Sequence, residues 1–470
     1  MNSIAEKACA EQSSIKSVSN FYSQYGLGKA LKSAGAYKQK QRGIMVSTVI
    51  QYLIALVYTG RSMFQDMRSS NPFAQGFCKD TVYRFLNSAT VNWQSFLLSV
   101  ASKVVSNIDK LTSTARRCAF VIDDSIYPIL YAKKTELVSR IHDHAERGKN
   151  KHKWGFRMLT LGWTDGVSFI PLAFRHLASS DTSKQRCGYN PDIDKRSRAY
   201  RIRKEAVSKS PDVLLLQLKA AIKAGVSASY VLFDTWFAFP ITLLKISALK
   251  LHVISRVKNT PTIKYLVNGE KKTAKEIFDN NRKRPGKSRY QLSVPIELYA
   301  KVDKVVTTIP AKLVYVRNKN KRNDWIALVS TDMTLPEEEI IALYGKRWDI
   351  EVFFKICKSY LRLTKEFQQL SYDAITANTT IVMIRYMILS VEKRTQEDPR
   401  TLGELFFMGF DEVSDIKFEQ ALIFIMSLLS DILKDEDIGL TEKQMEQIMD
   451  SFIQKLPPFI LTCLQPKLAG

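Results

Sequence analysis

The first 110 residues repeat apolar positions with the period of an α-helix. Apolar side chains recur every three or four positions within 46–64 and again within 91–105. This spacing is typical of amphipathic helices. The pattern predicts a helical region over residues 1–110. The same kind of pattern returns near the end of the chain and predicts a second helical region over 366–470.

A different pattern begins at Cys118 and predicts alternating strands and helices. The apolar run CAFVIDD is followed by two strand-like runs within 154–177, which a Thr164-Asp165-Gly166 turn joins into a hairpin. The polar segment 178–210 is predicted to be a loop. Beyond it the pattern predicts a helix, a strand, a helix and a strand, at 212–225, 229–234, 239–249 and 252–257. This order indicates an α/β layer with a mixed sheet over 111–257.

The segment 258–335 interrupts that order with short alternating apolar runs. These runs predict a mostly β insertion. A long helix is predicted from Pro336 to Leu363. Because this helix resumes the alternation of strands and helices seen over 111–257, residues 336–365 are assigned to the same α/β layer.

The charge balance indicates an anionic partner. The chain of 470 residues has 70 Lys and Arg against 46 Asp and Glu, a formal net charge of +24 at pH 7. Nucleic acid is the first partner to expect, and an anionic membrane surface is the second. No apolar run is long enough to predict a membrane span, the best being 421–429, and no secretory signal is legible. Six widely spaced cysteines favour a reducing, cytoplasmic setting with free thiols.

Candidate chemistry begins with acidic residues that close two predicted strands. Asp123 and Asp124 end the run CAFVIDD, and Asp234 ends the run YVLFD. Side chains at the carboxyl ends of neighbouring strands point toward the crevice where open α/β sheets bind ligands. These acids are therefore predicted to converge on a metal, although a single Asp after a strand is often only a turn or helix cap.

The predicted long helix carries a polar stripe beside these acids. At about 100° per residue, its members fall within a band roughly 80° wide, and they are Tyr344, Arg347, Glu351, Lys355 and Lys358. Any amphipathic helix has a polar face, so periodicity alone does not define a site. One acid flanked by bases and a tyrosine is, however, a suitable arrangement for holding a metal beside phosphates.

The spacing Tyr344-x2-Arg347-x3-Glu351-x6-Lys358 resembles the Tyr-Arg-Glu-Lys signature of bacterial insertion-sequence transposases of the DDE type. The resemblance extends over about residues 115–365, because two strand-end aspartates precede the glutamate in the order that this family uses. It implies a ribonuclease-H-like α/β core with a mostly β insertion, flanked by all-α regions. It also implies two Mg²⁺ ions, for which Mn²⁺ may substitute, held by two Asp and one Glu.

Carried onto this chain, the resemblance implies that Asp124, Asp234 and Glu351 are the catalytic metal ligands. Asp123 competes for the first place, and Asp124 is preferred because Ser125 follows it. The resemblance further implies DNA contacts at Tyr344, Arg347, Trp348, Lys355, Lys358 and Lys149. Among these, the indole of Trp348 would support a displaced base.

These expectations together describe a DNA transposase in the cytoplasm of a bacterium, associated with the nucleoid. It would bind terminal inverted repeats through residues 1–110, cut the element ends and join the 3′-hydroxyl to target DNA. A homodimer on paired ends is expected, with 366–470 as the dimerising region and no membrane partner. Two alternatives stay open: a ribonuclease-H-like nuclease that does not join strands, and an inactive DNA-binding regulator descended from a transposase.

Overall fold

The computed structural model describes most of the chain up to Thr395. The described ranges are 18–37, 43–59, 62–68, 77–113, 115–131, 133–143, 152–284, 288–302, 304–318, 324–366 and 369–395, with a few positions between 441 and 451. The predictions for residues 1–17 and most of the predicted dimerising region therefore lie outside the described residues. Lys149, a predicted DNA contact, lies outside them as well.

Among the described residues, a mixed sheet of eleven strands forms the centre of the protein. Its first six strands are β1 (Ala119–Pro128), β2 (Ser139–His142), β3 (His152–Thr164), β4 (Phe169–Leu177), β5 (Tyr230–Phe233) and β6 (His252–Arg256). The neighbouring strands β1, β5 and β6 run parallel, whereas β3 pairs antiparallel with β1, β2 and β4. This mixed α/β arrangement is consistent with the predicted ribonuclease-H-like core.

The hairpin predicted at residues 164–166 is confirmed. It joins β3 to β4, and Gly166 has a φ of 90°, a left-handed conformation that glycine adopts without a Cβ clash. Asp165 fixes the turn, because its Oδ1 accepts the backbone N–H groups of Val167 and Ser168 at 2.9 and 2.7 Å. Every residue of β4 is buried. Helices therefore cover this part of the sheet.

The polar segment 178–210 is not entirely the loop that its composition predicts. It contains helix α6 (Arg198–Ala206), which Ser197 caps by accepting the Tyr200 N–H. Arg203 lies on the buried side of this helix at 2% exposure and pairs with Glu136 at 2.6 Å and Asp373 at 2.7 Å. These partners are remote in sequence, so composition alone could not indicate that a base in this segment would be buried.

The other helices pack around the sheet or against each other. Before β1 lie α1 (Leu27–Ser33), α2 (Val46–Ala55), α3 (Met63–Arg68), α4 (Lys79–Leu86) and α5 (Trp93–Lys110). After β4 come α7 (Ser210–Lys223), α8 (Pro240–Ser247), α9 (Ala274–Asp279), α10 (Glu337–Gly345), α11 (Trp348–Ser359) and α12 (Tyr372–Thr395). Of these, α5, α11 and α12 all pack on β4.

The strands predicted within 258–335 extend the same sheet. They are β7 (Lys264–Val267), β8 (Glu270–Thr273), β9 (Leu292–Val302), β10 (Val305–Arg317) and β11 (Trp325–Ser330). β11 pairs antiparallel with β6, and β10 and β9 follow it outward. The mostly β character of this segment is confirmed, with α9 as its helical part. Its description as an insertion stays a prediction.

Helix α12 is a longer apolar segment than the run at 421–429 that the sequence singles out. Within the described residues it alone is long and apolar enough to cross a membrane, with a mean hydropathy of 1.4. Its apolar window is 94% buried inside the protein, as expected for a core helix.

Arg385 joins this central helix to the N-terminal helices. Its side chain is fully buried and donates hydrogen bonds to the carbonyl oxygens of Leu53 and Ile54 on α2. The guanidinium also pairs with the carboxylate of Glu366, at 2.7 Å through Nη1 and 2.9 Å through Nη2. Because a buried charge requires such partners, Arg385 fixes α2 against the core.

His176 gives the protein a specific sensitivity to acid. Burial, with a smaller contribution from the charge of Arg175, lowers its pKa to about 3. The unfolded chain, with a His pKa near 6.5, then binds a proton more readily than the folded chain below that pH. Stability contributed by neutral His176 is therefore lost as the pH falls from about 6.5 toward 3.

Replacing His176 with Phe should reduce this acid sensitivity. Between pH 6 and 4 the free energy of unfolding should fall less steeply in the variant, by about 1 kcal/mol per pH unit. Urea unfolding at several pH values measures both slopes. Equal slopes in the two proteins would show that His176 is not the group responsible.

Candidate active site

The two adjacent aspartates of β1 lie on opposite faces of the strand. β1 continues to Pro128, so these residues do not end it as the sequence predicts, but its pairing with β5 ends just before them at Ile122 and Phe233. The next residues, Asp123 and Asp234, therefore follow the last paired residues of the two parallel strands. Successive side chains of a strand alternate between faces. Asp123 and Ser125 share one face, and Asp124 has the other.

The predicted long helix is two helices, α10 and α11, that meet at Lys346 and Arg347. At the junction the backbone is tightened, because the N–H groups of Asp349 and Ile350 bond to carbonyls only three residues earlier, Lys346 and Arg347. Lys346 Nζ donates to the carbonyl oxygens of Arg117 and Asp165, at 2.9 and 3.2 Å. These long-range contacts, together with the weak helix propensity of Gly345, explain a break that periodicity does not reveal.

Arg347 lies between the first and third carboxylates of the site. Its guanidinium is 3.1 Å from Asp123 Oδ2 and 2.6 Å from Glu351 Oε1. The pKa of Asp123 is raised to about 7, chiefly by burial; the positive charge of Arg347 lowers it, and the negative charges of Asp124 and Asp234 make smaller contributions that raise it. The site thus concentrates negative charge around one cationic side chain.

Tyr344 connects the remaining aspartate to this cluster. Its hydroxyl donates to Asp234 Oδ1 at 3.4 Å, and Arg347 lies over its ring at 5.8 Å from the centroid. Burial and the charge of Asp234 raise the pKa of Tyr344 to about 12, so the hydroxyl keeps its proton at neutral pH. Asp123, Asp234 and Glu351 are therefore linked through two residues of the same sequence signature.

Asp124, which the sequence analysis prefers over Asp123 as the first metal ligand, does not face this cluster. It forms an ion pair with Arg157 of β3. β1 and β3 are registered with Asp124 opposite Leu159, which puts Arg157 two residues away on the same face. The structure therefore brings together Asp123, rather than Asp124, with Glu351.

The basic and aromatic members of the predicted stripe differ in exposure. Lys358 is half-buried and donates to Ser125 Oγ at 2.6 Å, and burial lowers its pKa. Lys355 is exposed, one turn closer to Glu351. Trp348 is 60% exposed at the start of α11, so its indole is accessible rather than part of the core.

Comparison with known proteins identifies the family. The model of the family described as DDE superfamily endonuclease matches residues 50–312, more than half of the chain. The protein belongs to the DDE superfamily endonucleases. A search of curated proteins found no match. The matched range includes both β1 and Asp234 but ends before α10, so the Tyr-Arg-Glu-Lys signature lies beyond it.

Membership implies that this endonuclease acts on DNA, and members of the superfamily typically use divalent metal ions. The carboxylates fit such an ion in their chemistry, because hard oxygen ligands suit Mg²⁺. As the side chains stand, no group of three acidic, His or Cys residues among the described residues has the arrangement of a metal centre. Arg347 explains this, since it occupies the space between Asp123 and Glu351.

Two residues around the candidate site, one on each face of β1, were not predicted from the sequence. Ser125 receives the hydrogen bond of Lys358, and Arg157 pairs with Asp124. Alternation along β1 provides a signal for Ser125, which must share a face with Asp123. The proximity of Arg157 to Asp124 follows only from the register of β3 against β1, which the sequence does not reveal.

Proposed function

We propose that this DDE endonuclease is an insertion-sequence transposase. It binds terminal inverted repeats, cuts at the element ends and joins the freed 3′-hydroxyl to target DNA. The observation that carries the proposal is the connected arrangement of Tyr344, Arg347 and Glu351 with Asp123 and Asp234. Residues far apart in the chain make these contacts, and the spacing of Tyr344, Arg347 and Glu351 resembles the Tyr-Arg-Glu-Lys signature of insertion-sequence transposases.

Asp123, Asp234 and Glu351 are the residues proposed to hold two Mg²⁺ ions, with Mn²⁺ as a substitute. Bound ions of this kind activate a water or a 3′-hydroxyl and stabilise the leaving oxygen in phosphoryl transfer. To open the space between Asp123 and Glu351, Arg347 must release one of its two ion pairs. Its guanidinium is then free to hold a phosphate near the scissile bond.

The other predicted contacts are proposed to position the DNA. Lys358 and Lys355 extend along α11 beyond Glu351 and would hold successive phosphates, and Tyr344 would donate a hydrogen bond to another. The exposed indole of Trp348 would support a displaced base. Lys149 is proposed as a backbone contact from the sequence alone.

The wider setting is also a proposal. The excess of bases over acids, a formal charge of +24, supports double-stranded DNA as partner, both as inverted repeats and as target. Two ends must be held together during transposition, so a homodimer is proposed. The predicted dimerising region 366–470 is narrowed in this proposal to the residues that follow α12, because α12 itself is buried in the core. The working location would be the nucleoid in a bacterial cytoplasm.

The test is a cleavage and strand-transfer assay in Mg²⁺, with the DNA that flanks the coding sequence as the element-end substrate. Wild type should cut and join. Glu351→Gln keeps the size of the side chain but removes a ligand charge, and should bind the ends while losing about 10³-fold or more in cleavage rate.

Glu338→Gln is the matched control, since it removes an exposed carboxylate from the preceding helix and should cut normally. Cleavage without joining in wild type would identify a nuclease. Binding without cleavage by wild type would identify a regulator. Full activity of Glu351→Gln would show that the site lies elsewhere.

A further inference from the structure

Two exposed histidines lie opposite each other where β2 ends and β3 begins. His142 is the last residue of β2 and His152 is the first residue of β3, and the antiparallel register pairs them directly. Directly opposed side chains of two antiparallel strands project from the same face of the sheet. Both histidines are exposed to solvent. We call His142 and His152 the histidine pair.

The separation of the two rings matches what a single bound metal ion requires. The ring centroids are 5.2 Å apart, and the ring planes are at 90° to each other. A Zn²⁺ ion binds an imidazole nitrogen at about 2.0–2.1 Å, so two imidazoles on one tetrahedral ion have centroids about 5 Å apart. Histidine has broad freedom about χ2. Rotation about this bond turns one nitrogen of each ring toward a shared point without moving the backbone.

The ligand atoms available here determine which ion fits. Imidazole nitrogen suits borderline ions such as Zn²⁺, whereas Mg²⁺ prefers oxygen ligands. The adjacent carboxylate, Asp143, pairs instead with Lys153 at 2.9 Å, and Lys153 projects from the face of β3 opposite to His152. Among the described residues, no third His, Cys, Asp or Glu completes a metal centre with the pair. Water molecules would therefore fill the remaining positions around the ion.

The neighbouring charges favour the form of histidine that binds metals. Partial desolvation is the largest cause of a lowered pKa at His152, and the positive charges of Arg140 and His142 lower it further. Metal ligands must be deprotonated, so a lowered pKa leaves more neutral imidazole at pH 7. The same charges repel a dication, but Arg140 is exposed to solvent, and salt and water screen its repulsion.

We propose that the histidine pair binds one Zn²⁺ ion, which holds β2 against β3. β2 has only four residues and is the first strand in the order of the sheet. An ion that binds both histidines only when these strands are paired stabilises the pairing by the free energy of binding. The expected consequence is a more stable edge of the sheet in the presence of Zn²⁺.

This site is separate from the carboxylates proposed to hold the catalytic ions. Thr160 of β3 is paired with Asp123. His152 lies eight residues before Thr160 on the same strand, which is about 26 Å along a strand that rises about 3.3 Å per residue. The inference therefore does not depend on the proposed function.

The test is a titration of Zn²⁺ in competition with a chromophoric chelator, with excess Mg²⁺ so that the carboxylate site contributes little. His142→Phe and His152→Phe each keep a flat ring but remove a nitrogen ligand. Each should weaken binding about 10-fold or more, because the second ligand of a chelate acts at high effective concentration. The double variant should bind no more weakly than the weaker single variant. His142→Cys should retain binding, since a thiolate is also a Zn²⁺ ligand.

Two further measurements identify the ligands and the consequence for the strand. Electron paramagnetic resonance of wild type with one equivalent of Cu²⁺ should show splitting from two nitrogen ligands, which either Phe variant should lose. Hydrogen exchange of the backbone amides of β2 should slow when Zn²⁺ is added to wild type and should not change in the variants.

His252→Phe is the matched control, because His252 is also exposed, begins a strand and lies beside another ring, with its centroid 5.7 Å from that of Tyr230. It should leave Zn²⁺ binding unchanged, and thermal melting without metal checks that each variant folds. A loss in only one of the two Phe variants, losses that add in the double variant, or an equal loss in His252→Phe overturns the inference. Variants that weaken DNA binding but leave Zn²⁺ binding unchanged would assign the pair to a phosphate instead.

Discussion

An Asp123→Asn variant should cut element-end DNA about 10³-fold or more slowly than wild type. The amide keeps the shape of the side chain but removes the charge that pairs with Arg347 at 3.1 Å and faces Asp234. A ligand of catalytic ions contributes several kcal/mol to transition-state stabilisation, and about 1.4 kcal/mol is a factor of ten in rate. Single-turnover cleavage in Mg²⁺ measures the effect.

Asp124→Asn is the most closely matched control that the chain offers, because it makes the same chemical change one residue later on the opposite face of β1. It should lose far less of the cleavage rate. Titration of Mn²⁺ by electron paramagnetic resonance, without DNA, provides an independent measurement: Asp123→Asn should weaken binding and Asp124→Asn should not. The reverse result in both assays would assign the ligand to Asp124.

An Arg385→Met variant should lose about 3–5 kcal/mol of unfolding free energy. The change leaves the carboxylate of Glu366 buried without its cation and removes the donors to Leu53 and Ile54. Breaking one side of a buried ion pair has a cost of this size. Urea unfolding, followed by circular dichroism, measures the shift.

Arg196→Met is the control for this second experiment, since Arg196 also pairs with an aspartate but its side chain is 93% exposed. Its loss should be within about 1 kcal/mol. Adding Glu366→Leu to Arg385→Met should recover part of the stability, because no unpaired charge then remains buried. An Arg385→Met variant as stable as Arg196→Met would contradict this role of Arg385.

The sequence points to Asp123 and Asp124 as alternative candidate ligands but does not reveal the face of β1 on which each of them lies. The run AFVI before Asp123 is apolar at every position, and all four residues are buried. Two aspartates then follow. Neither the apolar run nor the pair of acids alternates between apolar and polar residues, so the sequence does not distinguish the two faces of the strand. Register against β3 and β5 decides the face, and register depends on residues distant in the chain.

Other differences between the predictions and the structure also arise from contacts between residues that are remote in sequence. The Thr164-Asp165-Gly166 hairpin was predictable because its signal is local. The break between α10 and α11, by contrast, depends on Lys346 reaching Arg117, and the burial of Arg203 in α6 depends on Glu136 and Asp373. Periodicity describes the segment in which it is read and contains no information on such contacts.

The position of Arg385 also bears on how the recognition of element ends that is proposed for the N-terminal helices would change in evolution. Arg385 donates to two backbone carbonyl oxygens near the end of α2. Any residue type at these two positions would supply the same acceptors, as long as a helix ends at this place. Replacing the N-terminal helices by an unrelated segment would remove both acceptors at once. New end specificity is therefore expected to arise through substitutions at exposed positions of the existing helices, rather than through exchange of the whole region.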